Sequence, residues 1–362
     1  MDQSTDQPGT RASQPLPNEP VATPCFVIFE DGIRHNLKRT AEACGGIERL
    51  MPHVKTHRAP WIVQLSLSQG VTAFKCATTA EVEMVLEAGA RNVTWAYPTV
   101  NQANVHRFVQ AAKTYPDAQL TGMVDSERGF EVWRAELKDA PDNIKLRIDL
   151  DPGLGRTGAP MDQTALKLAR AVHAIGRLSG WHVYDGHVKG NREERREQVL
   201  ALADKVCSLR DELKKEGIGT DVIAGGSYTF NLWPADLTTY VSPGSWTYSS
   251  AQHDIELADL GWQPAAFVLA TVISVHKGTA TLDAGCKAIS PDKPLAERFR
   301  WDGRIILQNE EHVVVESDDL GVGDRVFLMP QHACTTAYLY SDALVKTSSG
   351  GWEHRPQLGS AR

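Results

Sequence analysis

The chain has 362 residues, of which 42% are hydrophobic and 23% charged, with a formal net charge of −7. That size accommodates one large domain with a smaller one or two mid-sized domains, and the acidic balance argues against a nucleic-acid or anionic-membrane partner. The longest apolar stretch, 265–275, is too short to span a bilayer. The first 22 residues are rich in Pro, Gln, Ser, Thr and Asp, so a disordered tail over 1–22 is expected, with no secretory signal. Six cysteines are scattered without a CxxC pair, which suits reduced thiols and a cytoplasmic setting better than a disulfide framework.

A first strand is predicted at 23–30. It is followed by a helix in which Ile33, Leu37, Ala41 and Cys44 recur at three- and four-residue spacing. Strand-like runs then come near 49–55, 73–78, 92–97, 119–125, 144–150, 178–185, 220–225 and 238–246. Most of the intervals between them carry a helical pattern. Thr78-Thr79-Ala80-Glu81 reads as a capping box for a helix that stops at Ala88-Gly89, and the longest helix runs from Asn191 to Gly217. Eight strands alternating with helices predict a closed (β/α)8 TIM-type barrel over 23–247, although strand 23–30 lies outside the eight. A doubly wound open sheet is disfavoured, because no GxGxxG follows the first strand. Beyond residue 247 short strands joined by Gly/Asp turns predict a second, mostly antiparallel β domain over 248–362, which strand 23–30 is able to join.

In such a barrel, chemistry collects at the carboxyl ends of the strands. The first of the eight ends in Pro52-His53-Val54-Lys55-Thr56-His57-Arg58. A poorly solvated lysine there would form an imine with a carbonyl cofactor, and the plain alternative is a surface lysine. Lys75, late in the next strand, is the rival lysine. The last two strands lead into Gly225-Gly226-Ser227 and Gly244-Ser245, small-residue loops whose N–H groups and hydroxyls suit a phosphate. Arg156 and Tyr184 follow mid-barrel strands, and each also has a bland reading. Arg156 would then be a loop arginine paired with Asp149 or Asp151, and Tyr184 a barrel-lining ring. In the β domain, His332 and Cys334 are two residues apart, so in an extended segment both side chains point to one side, half of a metal site.

Taken in order, the lysine segment, the LGRTG run ending at Gly158, the glycine loops and the HxC pair resemble the fold-type III pyridoxal phosphate enzymes, the group of D-serine dehydratases and D-threonine aldolases. The resemblance spans about residues 22–340. It implies that Lys55 carries pyridoxal 5′-phosphate, that Arg156 faces the pyridine nitrogen, and that Tyr184, Gly225, Gly226, Ser227, Gly244 and Ser245 complete the cofactor site. It implies a divalent metal on His332 and Cys334. A thiolate suits zinc, whereas the aldolases' HCD pattern suits manganese or magnesium. Gly186-His187 resembles a dehydratase segment, while Asp185 and Val188-Lys189-Gly190 match neither subgroup. The implied activity is loss of water from a β-hydroxy D-amino acid to give a 2-oxo acid and ammonia. Retro-aldol cleavage to glycine and an aldehyde, with His187 or a metal-bound water as base, is the alternative, and a non-catalytic carrier is the third reading. A homodimer is expected by resemblance only.

Overall fold

The structure, a computed structural model, describes residues 15–362, so the predicted tail lies outside the described residues as far as residue 14. In chain order the first elements are β1 (Cys25–Phe29), α1 (Glu30–Cys44), α2 (Pro60–Ser68), β2 (Phe74–Cys76), α3 (Thr79–Glu87), β3 (Asn92–Trp95), α4 (Gln102–Thr114) and β4 (Gln119–Val124). They are followed by α5 (Glu127–Glu136), β5 (Ile144–Asp151), β6 (Ala159–Pro160), α6 (Gln163–Ala174), β7 (Leu178–Val183), α7 (Arg192–Lys215), β8 (Asp221–Ala224) and β9 (Tyr240–Val241). The chain divides into two compact units, one comprising residues 40–55 and 59–244, the other residues 15–39, 56–58 and 245–361.

The first unit is a parallel sheet in the order β2-β3-β4-β5-β7-β8-β9, with β6 appended to β5. Helices between the strands cover the sheet, so strands such as β2, β3 and β8 are buried almost throughout. Local chemistry sets the helix ends. The Thr78 hydroxyl accepts the Glu81 N–H at 3.2 Å, and the Glu81 carboxylate accepts the Ala77 N–H at 2.6 Å. Gly89 ends that helix at φ 106°. Asn191 and Glu194 form a reciprocal capping box at the start of α7.

The predicted strand over 49–55 is not formed. Two 3₁₀ turns, at Ile47–Arg49 and Val54–Thr56, leave only single parallel bridges, from Leu50 to Val241 and from His53 to Lys75. These bridges touch β9 on one side and β2 on the other, so residues 50–53 join the two ends of the sheet. The Met51 N–H donates to Val241 O at 3.0 Å and the His53 N–H to Pro243 O at 3.1 Å. With Pro52 in the segment, one ladder donor is missing, and a continuous strand gives way to turns. The barrel class holds, with its first stave reduced to two bridges.

The second unit contains α8 (Ala251–Glu256), β10 (Ala266–His276), β11 (Thr279–Leu282), β12 (Phe299–Arg300), β13 (Ile305–Gln308), β14 (Val313–Glu316), β15 (Arg325–Pro330), α9 (Ala333–Ala337), β16 (Asp342–Lys346) and β17 (Trp352–Pro356). Its sheet runs β13-β14-β11-β10-β1-β16-β17, with β15 also on β10 and β12 on β15. All pairings are antiparallel except β1 with β16. Its core is aromatic: Phe29 meets Phe267, Phe327 and Trp352 edge-on, with centroids 5.7, 5.8 and 6.0 Å away. The Pro17 carbonyl accepts from Arg325 at 2.9 Å.

The six cysteines form no disulfide, and Cys44 and Cys76 are buried. Among the described residues no helix is long and apolar enough to cross a membrane. Truncating Phe29 removes the ring common to three edge contacts. Phe29→Ala should therefore destabilise the β unit by about 3–5 kcal/mol in urea titration, and a loss below about 1 kcal/mol would show that this cluster is not the core.

Candidate active site

At the carboxyl end of the parallel sheet lies a cavity of about 360 Å³, lined among others by His53, Lys55, Lys75, Arg156, His182 and Tyr184. Three of the predicted site residues, Lys55, Arg156 and Tyr184, thus converge from three distant parts of the chain. Tyr184 is the hub. The Arg156 guanidinium lies over its ring at 4.7 Å from the centroid and the Lys55 ammonium at 5.4 Å. Arg156 is therefore not spent on the neighbouring aspartates. Asp151 accepts the N–H groups of Gly153 and Gly155 at 2.9 and 3.0 Å, and Asp149 serves other partners.

Lys55 is not the poorly solvated strand lysine that the heptapeptide suggests. It sits in the Val54–Thr56 turn and its side chain is exposed. The buried amine is that of Lys75 on β2, 2% exposed, with Nζ 3.3 Å from His182 Nε2. His182 Nδ1 lies 2.6 Å from Asp149 Oδ1, and the Thr157 hydroxyl donates to Asp149 Oδ2 at 3.0 Å. Burial, aided by the charge of Lys55, pulls the Lys75 amine down to about 7. Burial and Lys75 also lower the His182 imidazole, and burial with the two lysines holds His53 well below its ordinary value. A neutral His182 facing a carboxylate must carry its proton on Nδ1, which leaves Nε2 to accept from Lys75.

The glycine loop after β8 is fixed by Asp185, a residue the sequence left unexplained. Fully buried, Asp185 accepts from the Thr229 hydroxyl at 2.7 Å and the Trp233 indole N–H at 2.9 Å. Thr229 Oγ1 in turn accepts the Gly226 N–H at 3.1 Å. Burial raises the Asp185 carboxyl against the lowering effect of these donors. Gly225 adopts φ 78°, and a Cβ on Gly226 would stand 2.9 Å from a Tyr184 ring carbon. The Gly244 N–H donates to Ser227 Oγ at 3.2 Å, which brings the two small-residue loops together. Beside them, Ser242 donates its N–H to Ala224 O, while its buried hydroxyl has no hydrogen-bond partner. Ser245 opens a 3₁₀ turn, Ser245–Thr247, in the other unit. His187 is exposed and does not line the cavity. Its Nε2 lies 3.8 Å from where a Cβ on Gly153 would stand.

In the β unit, β15 ends at Pro330, but the next residues are not extended as the HxC spacing assumed. His332 has β-type dihedrals and caps α9, a five-residue helix whose first turn contains Cys334. His332 Nδ1 is 2.5 Å from Asp292 Oδ2, and the Cys334 thiol donates to Thr56 Oγ1 at 3.4 Å. Burial would lower the His332 imidazole, but Cys334 and Asp292 outweigh it and push it up to about 9. Asp292 holds one ring nitrogen and leaves the other for a metal, the arrangement that orients a histidine ligand. Among the described residues no group of three or more His, Cys, Asp or Glu side chains forms a ready metal cluster, so the pair would leave coordination positions open.

Residues 28–252 match the family described as alanine racemase, N-terminal domain, and residues 265–346 the putative serine dehydratase domain. A 3-hydroxy-D-aspartate aldolase of Paracoccus denitrificans (strain Pd 1222) is 27% identical over 94% of this chain and 94% of its own. A D-threonine aldolase of an Arthrobacter species is 28% identical, with 92% of each chain covered. Among solved structures, D-threo-3-hydroxyaspartate dehydratase superposes with a TM-score of 0.79 as a metal-free cysteine-to-alanine mutant, at 21% identity over 93% of this chain and 98% of that one. Its histidine-to-alanine mutant also gives 0.79, at 22% identity over 93% and 95%.

Asp185→Ala would leave the Thr229 hydroxyl and Trp233 indole without their acceptor. At about 1–3 kcal/mol for a buried unsatisfied donor, the variant should unfold at clearly lower urea concentration, followed by tryptophan fluorescence. A midpoint equal to wild type would refute the anchoring role.

Proposed function

The chain belongs to the alanine racemase-like, fold-type III family of pyridoxal phosphate enzymes, and on that premise we propose that it is a metal-assisted lyase of β-hydroxy D-amino acids that eliminates water, as a D-serine dehydratase does. The observation that carries the choice of elimination is the His332–Cys334 pair with Asp292 behind the imidazole. Thiolate and imidazole are a soft donor set that selects zinc over manganese or magnesium. In D-threo-3-hydroxyaspartate dehydratase the two mutated positions are a histidine and a cysteine with the same spacing.

The cavity suits the cofactor on its own terms. A lysine amine and an arginine flank one aromatic ring in the cavity, and Ser242, whose buried hydroxyl has no hydrogen-bond partner, follows β9 beside the glycine loop after β8. Lys55 would hold pyridoxal 5′-phosphate, with Arg156, Tyr184, Gly225, Gly226, Ser227 and Gly244 completing its site. When bound, the cofactor supplies an electron sink for bonds at the amino acid's α carbon. The Lys55 amine would serve as the base for the α proton. A zinc ion held by His332 and Cys334 would supply Lewis-acid chemistry.

Retro-aldol cleavage is the second reading, favoured by the aldolases at 27% and 28% identity. Of the two bases it would call on, His187 or a metal-bound water, His187 stands outside the residues that line the cavity.

Incubating the zinc- and cofactor-loaded protein with D-serine, D-threonine and D-threo-3-hydroxyaspartate should yield 2-oxo acid and ammonia. Glycine plus aldehyde as the main products would sink elimination in favour of cleavage. Chelation, or Cys334→Ala, should abolish 2-oxo acid formation while visible absorbance of the bound cofactor persists. Borohydride treatment of the wild type should fix the cofactor's mass on the peptide containing Lys55, and Lys55→Ala should abolish that adduct. A mass fixed on the Lys75 peptide instead would reverse the lysine assignment.

A further inference from the structure

The chemistry proposed at Lys55 leaves the buried amine of Lys75, which lines the same cavity, without a role. We propose that Lys75 is a second proton-transfer residue of this site, the base that takes a proton from the ammonium group of an incoming amino acid, with His182 and Asp149 as positioning residues behind it. The proposal rests on reading the cavity as the place where cofactor and amino acid meet.

An amino acid arrives as a zwitterion, and its nitrogen attacks a carbonyl only after losing a proton. In the transfer an N–H bond of the substrate breaks, its electron pair stays on the substrate nitrogen, and a new N–H bond forms at Lys75 Nζ. Lys75 passes from amine to ammonium and no co-reactant is needed. The geometry supports both states. Lys75 lines the same cavity as Lys55 yet is 2% exposed, so bulk water does not solvate its charge. His182 Nε2 at 3.3 Å accepts from it, and Asp149, 2.6 Å from His182 Nδ1, places a carboxylate at the far end of the chain. The groups that face Lys75 balance. Lys55 and Arg156 disfavour the ammonium, Asp149 and Asp185 favour it, and His53 and His182 are held neutral. Burial is the largest effect and leaves the amine at about 7, where it exchanges a proton readily near neutral pH.

The test is stopped-flow absorbance of the cofactor-loaded enzyme mixed with D-alanine, which has no β-hydroxyl to lose, across a range of pH. In the wild type the rate of the spectral change should rise through a midpoint near neutrality. Lys75→Met should slow it about tenfold or more at pH 7, and the two proteins should converge at a pH where free D-alanine has already lost its ammonium proton. A deficit of the same factor at every pH, or no deficit, overturns the proposal. If Lys75→Met does not take up cofactor, Asp149→Asn decides. Removing the carboxylate that favours the Lys75 ammonium should move the wild-type midpoint to lower pH, and an unchanged midpoint overturns the proposal. Failure of the underlying reading looks different, since the wild type would then show no cofactor absorbance with Lys55 intact.

Discussion

A charge placed on a strand whose sheet is covered on both sides has to find its partner inside the sheet, and the parallel unit is organised around that constraint. Lys75, Asp149 and His182 lie on three strands, none adjacent to it in sequence, yet they form one hydrogen-bonded chain. Asp149 and His182 are register partners on β5 and β7. A one-residue slip of either strand would turn a charged side chain outward and leave the other uncompensated. Register, barrel interior and site electrostatics are therefore one decision.

The same logic fixes the loops above the strands. Asp185 is 1% exposed, and the two donors it accepts from belong to the segment after β8. Through Thr229 that bond reaches the Gly226 N–H, and Gly226 is the residue whose missing side chain lets the Tyr184 ring close against the loop. One buried carboxylate thus governs where the ring beneath Arg156 and Lys55 sits. A loop held in this way loses little order when a ligand enters, which is the physical content of a preformed site.

The β unit solves a simpler problem. Its sheet has an aromatic centre at Phe29. His332 and Cys334 belong to that unit and are shaped by it alone. The strand ends at Pro330, the chain turns into a single short helix, and Asp292 orients the imidazole. The soft donor pair comes from residue type, while its convergence comes from a cap-and-helix geometry that alternation along a strand did not anticipate.

Much of this was legible in the residues themselves. Alternating strand and helix patterns predict the barrel, Gly/Asp turns predict the β unit, and Lys55, Arg156 and Tyr184 fall in the segments where a barrel must place its chemistry. Local rules suffice there because hydrophobic period, capping and turn residues act over a few positions. Tertiary structure alone decided which lysine is buried. Lys55 and Lys75 each follow an apolar run, but Pro52 breaks the first run into a turn and leaves Lys55 exposed, whereas β2 is paired with β3 and bridged by His53. A signal for Lys75, Asp149 and His182 was present, as charged or titratable residues at alternate positions in strands that are otherwise continuously apolar. It could not be read as a hydrogen-bonded chain, because strand order and register arise from packing between segments up to 107 residues apart.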